Sequence, residues 1–343
     1  MILQSARPQV GYTGTMSEHM EDTRDVIPDE AFCEMRPATD GRPAGVRFLA
    51  FNTVIDIEAY GEAASCEAAF SEARALCRTY ERLFSRTLPH SDIARINGAV
   101  GAEVAIDPLT FDLLSRALAY CAASEGVFDI TVGPAVRLWN FHKGVVADAD
   151  ELAEAVRHVD WRQLKLREDA TGHFAQLADP AAAVDAGGIA KGWIADRLIE
   201  AMDAHGLDGI IVNLGGNVAV CGTKPSCEAW NVGVRDPRDP ARLIGAVPLR
   251  GGSAVTSGVY ERCFTAPDGA FYHHILDPRT GMPAVTDVAS VTVICERSID
   301  AEGFSTTLLA LGRERGCSLV QRHPEILQAF FVDGDGRIAA ARS

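Results

Sequence analysis

Asp185-Ala186-Gly187-Gly188-Ile189-Ala190-Lys191-Gly192 opens the stretch that decides the fold, and Ile210-Ile211-Val212-Asn213-Leu214-Gly215-Gly216-Asn217 closes it. The first segment leads into an apolar stripe, Ile189, Trp193, Ile194, Leu198 and Met202, spaced for one face of a helix and stopped by Gly206. The second is a short apolar run ended by paired glycines, which reads as a buried strand and a turn. A helix feeding a buried strand is a unit for packing helices on a sheet.

Working towards the N-terminus, Val46 to Tyr60 alternates loosely and predicts a strand or bent hairpin. Ser65 is placed to cap a helix with the stripe Phe70, Ala73, Cys77, Tyr80 and Phe84. Thr110 is placed to cap a second, with Leu113, Leu114, Ala117, Leu118 and Cys121 inward and Gly126 as the stop. A charged helix from about Asp148 to His158 leads into weak strands up to Leu177. Towards the C-terminus, Trp230 to Val234, Leu243 to Leu249 and Val288 to Cys295 read as strands, and Gly251 to Gly258 as a small-residue loop. His273 to Gly281 reads as a polar turn after a strand. A helix from about Ala301 carries Phe304, Leu308 and Leu311, and Phe330 to Ile338 forms a terminal hairpin. Strands and helices mix without strict alternation, which predicts an α+β fold rather than a doubly wound sheet.

The composition narrows the function classes. The chain has 343 residues, 32 Lys plus Arg against 47 Asp plus Glu, and a net charge of −15. That acidity argues against nucleic acid or an anionic membrane as an electrostatic partner. No apolar run has the length of a spanning helix. Residues 1–45 are polar and aperiodic and are expected to be a flexible tail, ahead of one domain over 46–343. They lack a secretory-signal layout, so a cytoplasmic location is expected. The nine cysteines contain no CxxC pair and read as reduced, buried apolar residues.

Three groups of residues could carry chemistry. The amides of Gly187 and Gly188 at a helix start, with Lys191 one turn in, suit a phosphate, although on their own they read first as an ordinary turn into a helix. His274 and Asp277, three apart, suit a general base, a metal ligand or a satisfied surface pair. Glu302 and Thr306, four apart, share a helix face. With a backbone carbonyl they would make an all-oxygen set for Mg²⁺, or else an exposed Glu and a Thr bonded to its own helix.

Six segments in order resemble the FAD:protein FMN transferase (ApbE) family. They are Phe128-Asp-Ile-Thr-Val-Gly-Pro134, Asp185 to Gly192, Asn213 to Gly216, Thr256-Ser-Gly258, His274 to Gly281, and Val291 to Ile294 followed by Glu302 to Gly312. The resemblance spans about residues 46–340. It implies a T-fold-like α+β core of mixed and antiparallel sheets, with two intertwined lobes around a flavin cleft. It also implies an Mg²⁺-dependent enzyme that transfers FMN from FAD to a Thr or Ser of a target flavoprotein and releases AMP. Some relatives hydrolyse FAD to FMN and AMP instead, and a flavin-binding protein with weak catalysis is a further alternative.

By position, the resemblance makes His274, with Asp277, catalytic. Phe51, Thr87, Val127, Phe128, Asp129, Asp185, Lys191 and Ile275 become flavin-nucleotide contacts, and Gly188, Glu302 and Thr306 become metal ligands. Three residues depart from the family pattern. Glu302 stands for the usual Asp, a carboxylate roughly 1.5 Å further from the backbone where Mg²⁺ tolerates little error. Thr87 replaces an aromatic Tyr, and Phe51-Asn52-Thr53 replaces Met-Gly-Thr.

Overall fold

The computed structural model describes residues 32–39 and 41–343. Its strands are, in chain order, β1 Cys33–Arg36, β2 Ala44–Ala50, β3 Thr53–Tyr60, β4 Val104–Ile106, β5 Leu164–Asp169, β6 Gly172–Leu177, β7 Gly209–Leu214 and β8 Asn217–Gly222. They continue with β9 Trp230–Asp236, β10 Asp239–Leu249, β11 Gly252–Gly258, β12 Cys263–Thr265, β13 Phe271–His273, β14 Ser290–Cys295, β15 Ile326–Val332 and β16 Ile338–Ala341. The helices are α1 Ala63–Phe84, α2 Asp92–Gly98, α3 Pro108–Ala123, α4 Gly133–Val136, α5 Ala149–Ala155, α6 Ala190–Asp203 and α7 Ser298–Val320.

A nine-stranded sheet in the order β1-β2-β3-β7-β8-β11-β14-β15-β16 forms the frame, and every neighbouring pair in it is antiparallel. The three-stranded β4-β6-β5 sheet and the β9-β10 and β12-β13 hairpins stand beside it. The α+β class expected from the sequence is the class observed. Helices α1, α6 and α7 pack on the frame and on one another, and their apolar stripes close the main core with Phe48, Ile57, Val212, Val255 and Val293. Ala254 and Ile294, one residue along their strands, join a second cluster with Trp230 and Leu249 of the β9-β10 hairpin. Alternation thus sends successive residues to opposite faces of the frame.

The α1 stripe is buried as expected. Tyr80 and Phe84 meet Trp193 of α6 edge-on, at ring separations of 5.1 and 5.4 Å, and Trp193 Nε1 donates to Asp112 Oδ2 at 2.7 Å. This aromatic contact fixes α6, and with it Lys191, against α1.

The structure departs from the sequence reading in five places. Residues 33–36, inside the expected tail, form an edge strand on β2; the part of the tail in residues 1–31 lies outside the described residues. Ser65 is not a cap, because α1 already begins at Ala63. Thr110 is not a cap either. Asp107 caps α3 by accepting from Leu109 N–H, Pro108 takes the first turn, and the Thr110 hydroxyl donates to Asp92 at 2.7 Å. Of the expected loop over Gly251 to Gly258, all but Gly251 is β11, paired with β8 on one side and β14 on the other. Its small side chains suggested a turn; here they let α7 lie close on the sheet.

Helix α7 also starts earlier than expected, at Ser298, and its backbone breaks at Gly312, where φ is +72°. Thr286 Oγ1 donates to Leu309 O at 2.6 Å, and Asp287 Oδ1 accepts from Arg313 N–H at 2.9 Å. A neighbouring loop therefore satisfies the backbone groups freed by the break.

Candidate functional site

The site is built where α6 crosses the first turns of α7. Gly192 makes the crossing close: a Cβ there would sit 2.6 Å from Ser298 O and 2.7 Å from Glu302 Cβ. The crossing puts Lys191 on Glu302. The ammonium pairs with Glu302 Oε1, and Asn217 Nδ2 donates to Glu302 Oε2. Asn217, at the start of β8, is in turn held by Ser298, whose Oγ donates to Asn217 Oδ1 at 2.7 Å. Ser253 Oγ lies 3.0 Å from Ser298 Oγ. Asp196 of α6 accepts from the backbone N–H groups of Ser298 and Ile299 at 2.6 and 3.0 Å, capping α7 from outside.

One turn along α7, the Thr306 hydroxyl is 3.4 Å from Ser257 Oγ of β11. Gly188 belongs to a 3₁₀ turn, Ala186–Gly188, that packs against α6 and α7. The three expected metal ligands are thus carried by elements in mutual contact. Among the described residues, no three His, Cys, Asp or Glu side chains gather as a metal site. A metal here would rest on one carboxylate, a hydroxyl and a carbonyl.

The turn before α6 corrects one expectation. The Gly187 amide is not free for a phosphate, because Asp185 Oδ1 accepts it at 2.8 Å. The other Asp185 oxygen lies 3.3 Å from Arg86 Nη1, a residue of the connection after α1. Lys191 is not a free cation either, since Glu302 holds it.

His274 follows β13. Its backbone N–H donates to Arg262 O at 3.0 Å. Its Nδ1 is buried with no hydrogen-bond partner among the described residues. Burial, with Arg262, His273 and Lys191 nearby, lowers its pKa to about 3. His273 differs: Nδ1 accepts from Ile275 N–H at 3.3 Å and Nε2 contacts Ala284 O at 3.2 Å. Both of its ring nitrogens are spent on the fold, whereas the His274 ring makes no hydrogen bond among the described residues.

Asp277 does not join His274. Its carboxylate is taken by Arg279, at 3.0 Å from Nε and 2.7 Å from Nη2, and by the Arg279 N–H. Asp129 is likewise committed, accepting from Thr131 N–H and Oγ1 and from Trp161 N–H at 2.6 to 3.0 Å. Burial raises its pKa against these bonds. Ile275 is a core residue, with its N–H and C=O both bonded. Phe128 is buried with its ring 3.1 Å from where a Gly188 Cβ would be. Val127 is half-buried and Thr87 exposed, with the Thr87 hydroxyl 3.1 Å from Ser85 Oγ.

Phe51 and Asn52 both have positive φ, 54° and 56°, and form the two-residue tip of the β2-β3 hairpin. Glu81 Oε1 accepts the Phe51 N–H at 3.0 Å, and Arg78 ties Glu81 to Leu49 O. The sequence reading missed Asn217, Ser298 and Arg86. Asn217 closed the glycine turn already singled out, but nothing local showed which side chain its amide would meet.

Fold and site define an α+β domain in which a buried carboxylate, Glu302, meets Lys191 just past the glycine turn that opens α6. The chain belongs to the ApbE family, whose model matches residues 51–331. It is 38% identical over 310 residues to the FAD:protein FMN transferase of Treponema pallidum, covering 85% of each chain. It is 36% identical over 270 residues to an FAD:protein FMN transferase of Klebsiella pneumoniae, covering 78% of this chain and 82% of that one. The crystal structure of the ApbE protein of Thermotoga maritima superposes with a TM-score of 0.79 at 29% identity, covering 87% and 96% of the two chains.

Proposed function

We propose that this chain is an Mg²⁺-dependent FAD:protein FMN transferase that moves FMN from FAD to a Thr or Ser hydroxyl of a flavoprotein and releases AMP. The carrying observation is the likeness to the Treponema pallidum transferase along 85% of both chains. The site chemistry supports it. Mg²⁺ takes oxygen donors, commonly one or two carboxylates completed by water and substrate phosphates, and Glu302, Thr306 and the Gly188 carbonyl are such a set. When bound, the metal neutralises charge on the pyrophosphate.

The remaining roles fall to the chain itself. His274 is neutral at physiological pH, and its imidazole, which makes no side-chain hydrogen bond among the described residues, can accept the proton of the acceptor hydroxyl. The hydroxyl oxygen then bonds to the FMN-side phosphorus as the bond to the AMP-side oxygen breaks. Phe51, half-buried at the β2-β3 hairpin tip, offers flat apolar surface for the flavin. Asp277 holds the turn after His274 rather than touching substrate.

The test is incubation with FAD, Mg²⁺ and an acceptor flavoprotein domain, with in-gel fluorescence for covalent FMN and chromatography for AMP. Labelled acceptor and equimolar AMP, both lost on chelation, are expected. AMP and FMN release without labelling would make the chain a pyrophosphatase, and no FAD cleavage would reject the proposal.

A further inference from the structure

Glu302 carries a side chain only 7% exposed, and both of its oxygens are met by donors. An ionised carboxylate at that depth needs a positive partner. The two donors are not equivalent. Asn217 is 1% exposed, and its amide orientation is set because Oδ1 accepts from Ser298. Rotating it would break two buried hydrogen bonds. Lys191 is held differently. Its side chain is 29% exposed, and its ammonium sits on a flexible four-carbon stem that brings charge rather than fixed geometry.

We infer that Lys191 is the built-in counter-cation of Glu302, displaced from Oε1 when a divalent metal binds, while Asn217 stays on Oε2 and holds the carboxylate in place. The inference rests on the metal assignment made under Proposed function. It gives Glu302 a reason: the extra methylene over Asp lets one carboxylate reach both α6 and β8. It also links two events. Metal arrival frees an ammonium beside the glycine turn, where an anionic pyrophosphate can take it up. Metal and anion binding then favour each other, as linkage requires.

The chain has four lysines, Lys143, Lys165, Lys191 and Lys224, so lysine footprinting reads this contact with three internal controls. Reductive methylation followed by peptide mass spectrometry is run on the full chain with and without Mn²⁺, with metal occupancy followed by electron paramagnetic resonance. Lys191 is expected to react slowly in metal-free protein and about tenfold faster at saturating Mn²⁺, within the range usual for coupled sites. The other three lysines should not change. In Glu302→Gln, Lys191 should react fast at any Mn²⁺ concentration. As a second measurement, Lys191→Met should bind Mn²⁺ about tenfold tighter than wild type, about 1.4 kcal/mol, because the competitor is gone.

Unchanged Lys191 reactivity in wild-type protein with Mn²⁺ demonstrably bound would overturn the inference and leave the metal assignment standing. Equal or weaker Mn²⁺ binding by a folded Lys191→Met would overturn it too. A free-Mn²⁺ signal that wild-type protein does not diminish would instead reject the metal assignment, and this inference with it.

Discussion

The side chain of Asn97 spans the backbone of Val184. Nδ2 donates to Val184 O at 2.9 Å, and Oδ1 accepts from Val184 N–H at 2.7 Å. Asn97 lies at the end of α2, and Val184 is the residue before Asp185. One amide therefore replaces a strand partner for the segment that delivers the glycine turn to the site.

Asn97→Ala strands both backbone groups of Val184, which is 1% exposed. The expected cost is about 2–4 kcal/mol, from one to two buried unsatisfied groups. Urea unfolding should show a lowered midpoint at unchanged slope. A loss under about 0.5 kcal/mol would mean that other groups satisfy Val184.

Gly192→Ala tests the helix crossing. Helix propensity alone predicts a gain of about 1 kcal/mol. The added methyl would instead lie 2.6 Å from Ser298 O and 2.8 Å from Ile299 Cα, both backbone atoms. Forcing α6 from α7 should cost about 1–3 kcal/mol, reversing the sign. Differential scanning calorimetry decides it, and a raised Tm would disprove the close packing.

Glu81→Ala removes the acceptor of the Phe51 N–H and one of the contacts of the buried Arg78, at 3.0 Å. Losing these part-buried hydrogen bonds, one of them charged, is expected to cost about 1–3 kcal/mol. Glu81→Gln keeps an acceptor for Phe51 and should recover part of the loss. Equal losses in the two variants would show that the ion pair, not the hairpin tip, carries the effect.

The pH profile should bear the mark of His274. An ordinary histidine base, with a pKa of about 6.5, would lose about tenfold in kcat/KM one unit below that value. With the folded pKa lowered to about 3, His274 stays a base, and kcat/KM should show no break near 6.5. Stability moves the other way. The unfolded chain binds the proton below about 6.5 and the folded one does not until about 3, so His274 makes the fold less stable as pH falls through that window. A break near 6.5 that disappears in His274→Gln would refute the lowered pKa.

Legibility in the sequence followed the range of the interaction. The α1 stripe from Phe70 to Phe84 and the α6 stripe from Ile189 to Met202 were readable because helical periodicity is local. So was the Asn213 to Gly216 turn, where Gly215 and Gly216 have φ of +62° and +103°. Strand β11 was not readable, because Gly252 to Gly258 has turn composition and becomes a strand only through β8 and β14. The grouping of His274 with Asp277 came from their spacing and from the resemblance. The structure gives that carboxylate to Arg279, a charged donor two residues on.

The sequence by itself determined the helix faces, the glycine turns, the α+β class and the ordered motifs that mark the family. The tertiary structure alone decided which polar groups meet. Lys191 finds Glu302 across 111 residues, Asn217 finds it across 85, and Asn97 finds Val184 across 87. Periodicity tells a side chain which face it occupies. Its partner is set by the distance at which two elements pack, and here Gly192 lets α6 and α7 close to the few ångströms that an ion pair requires.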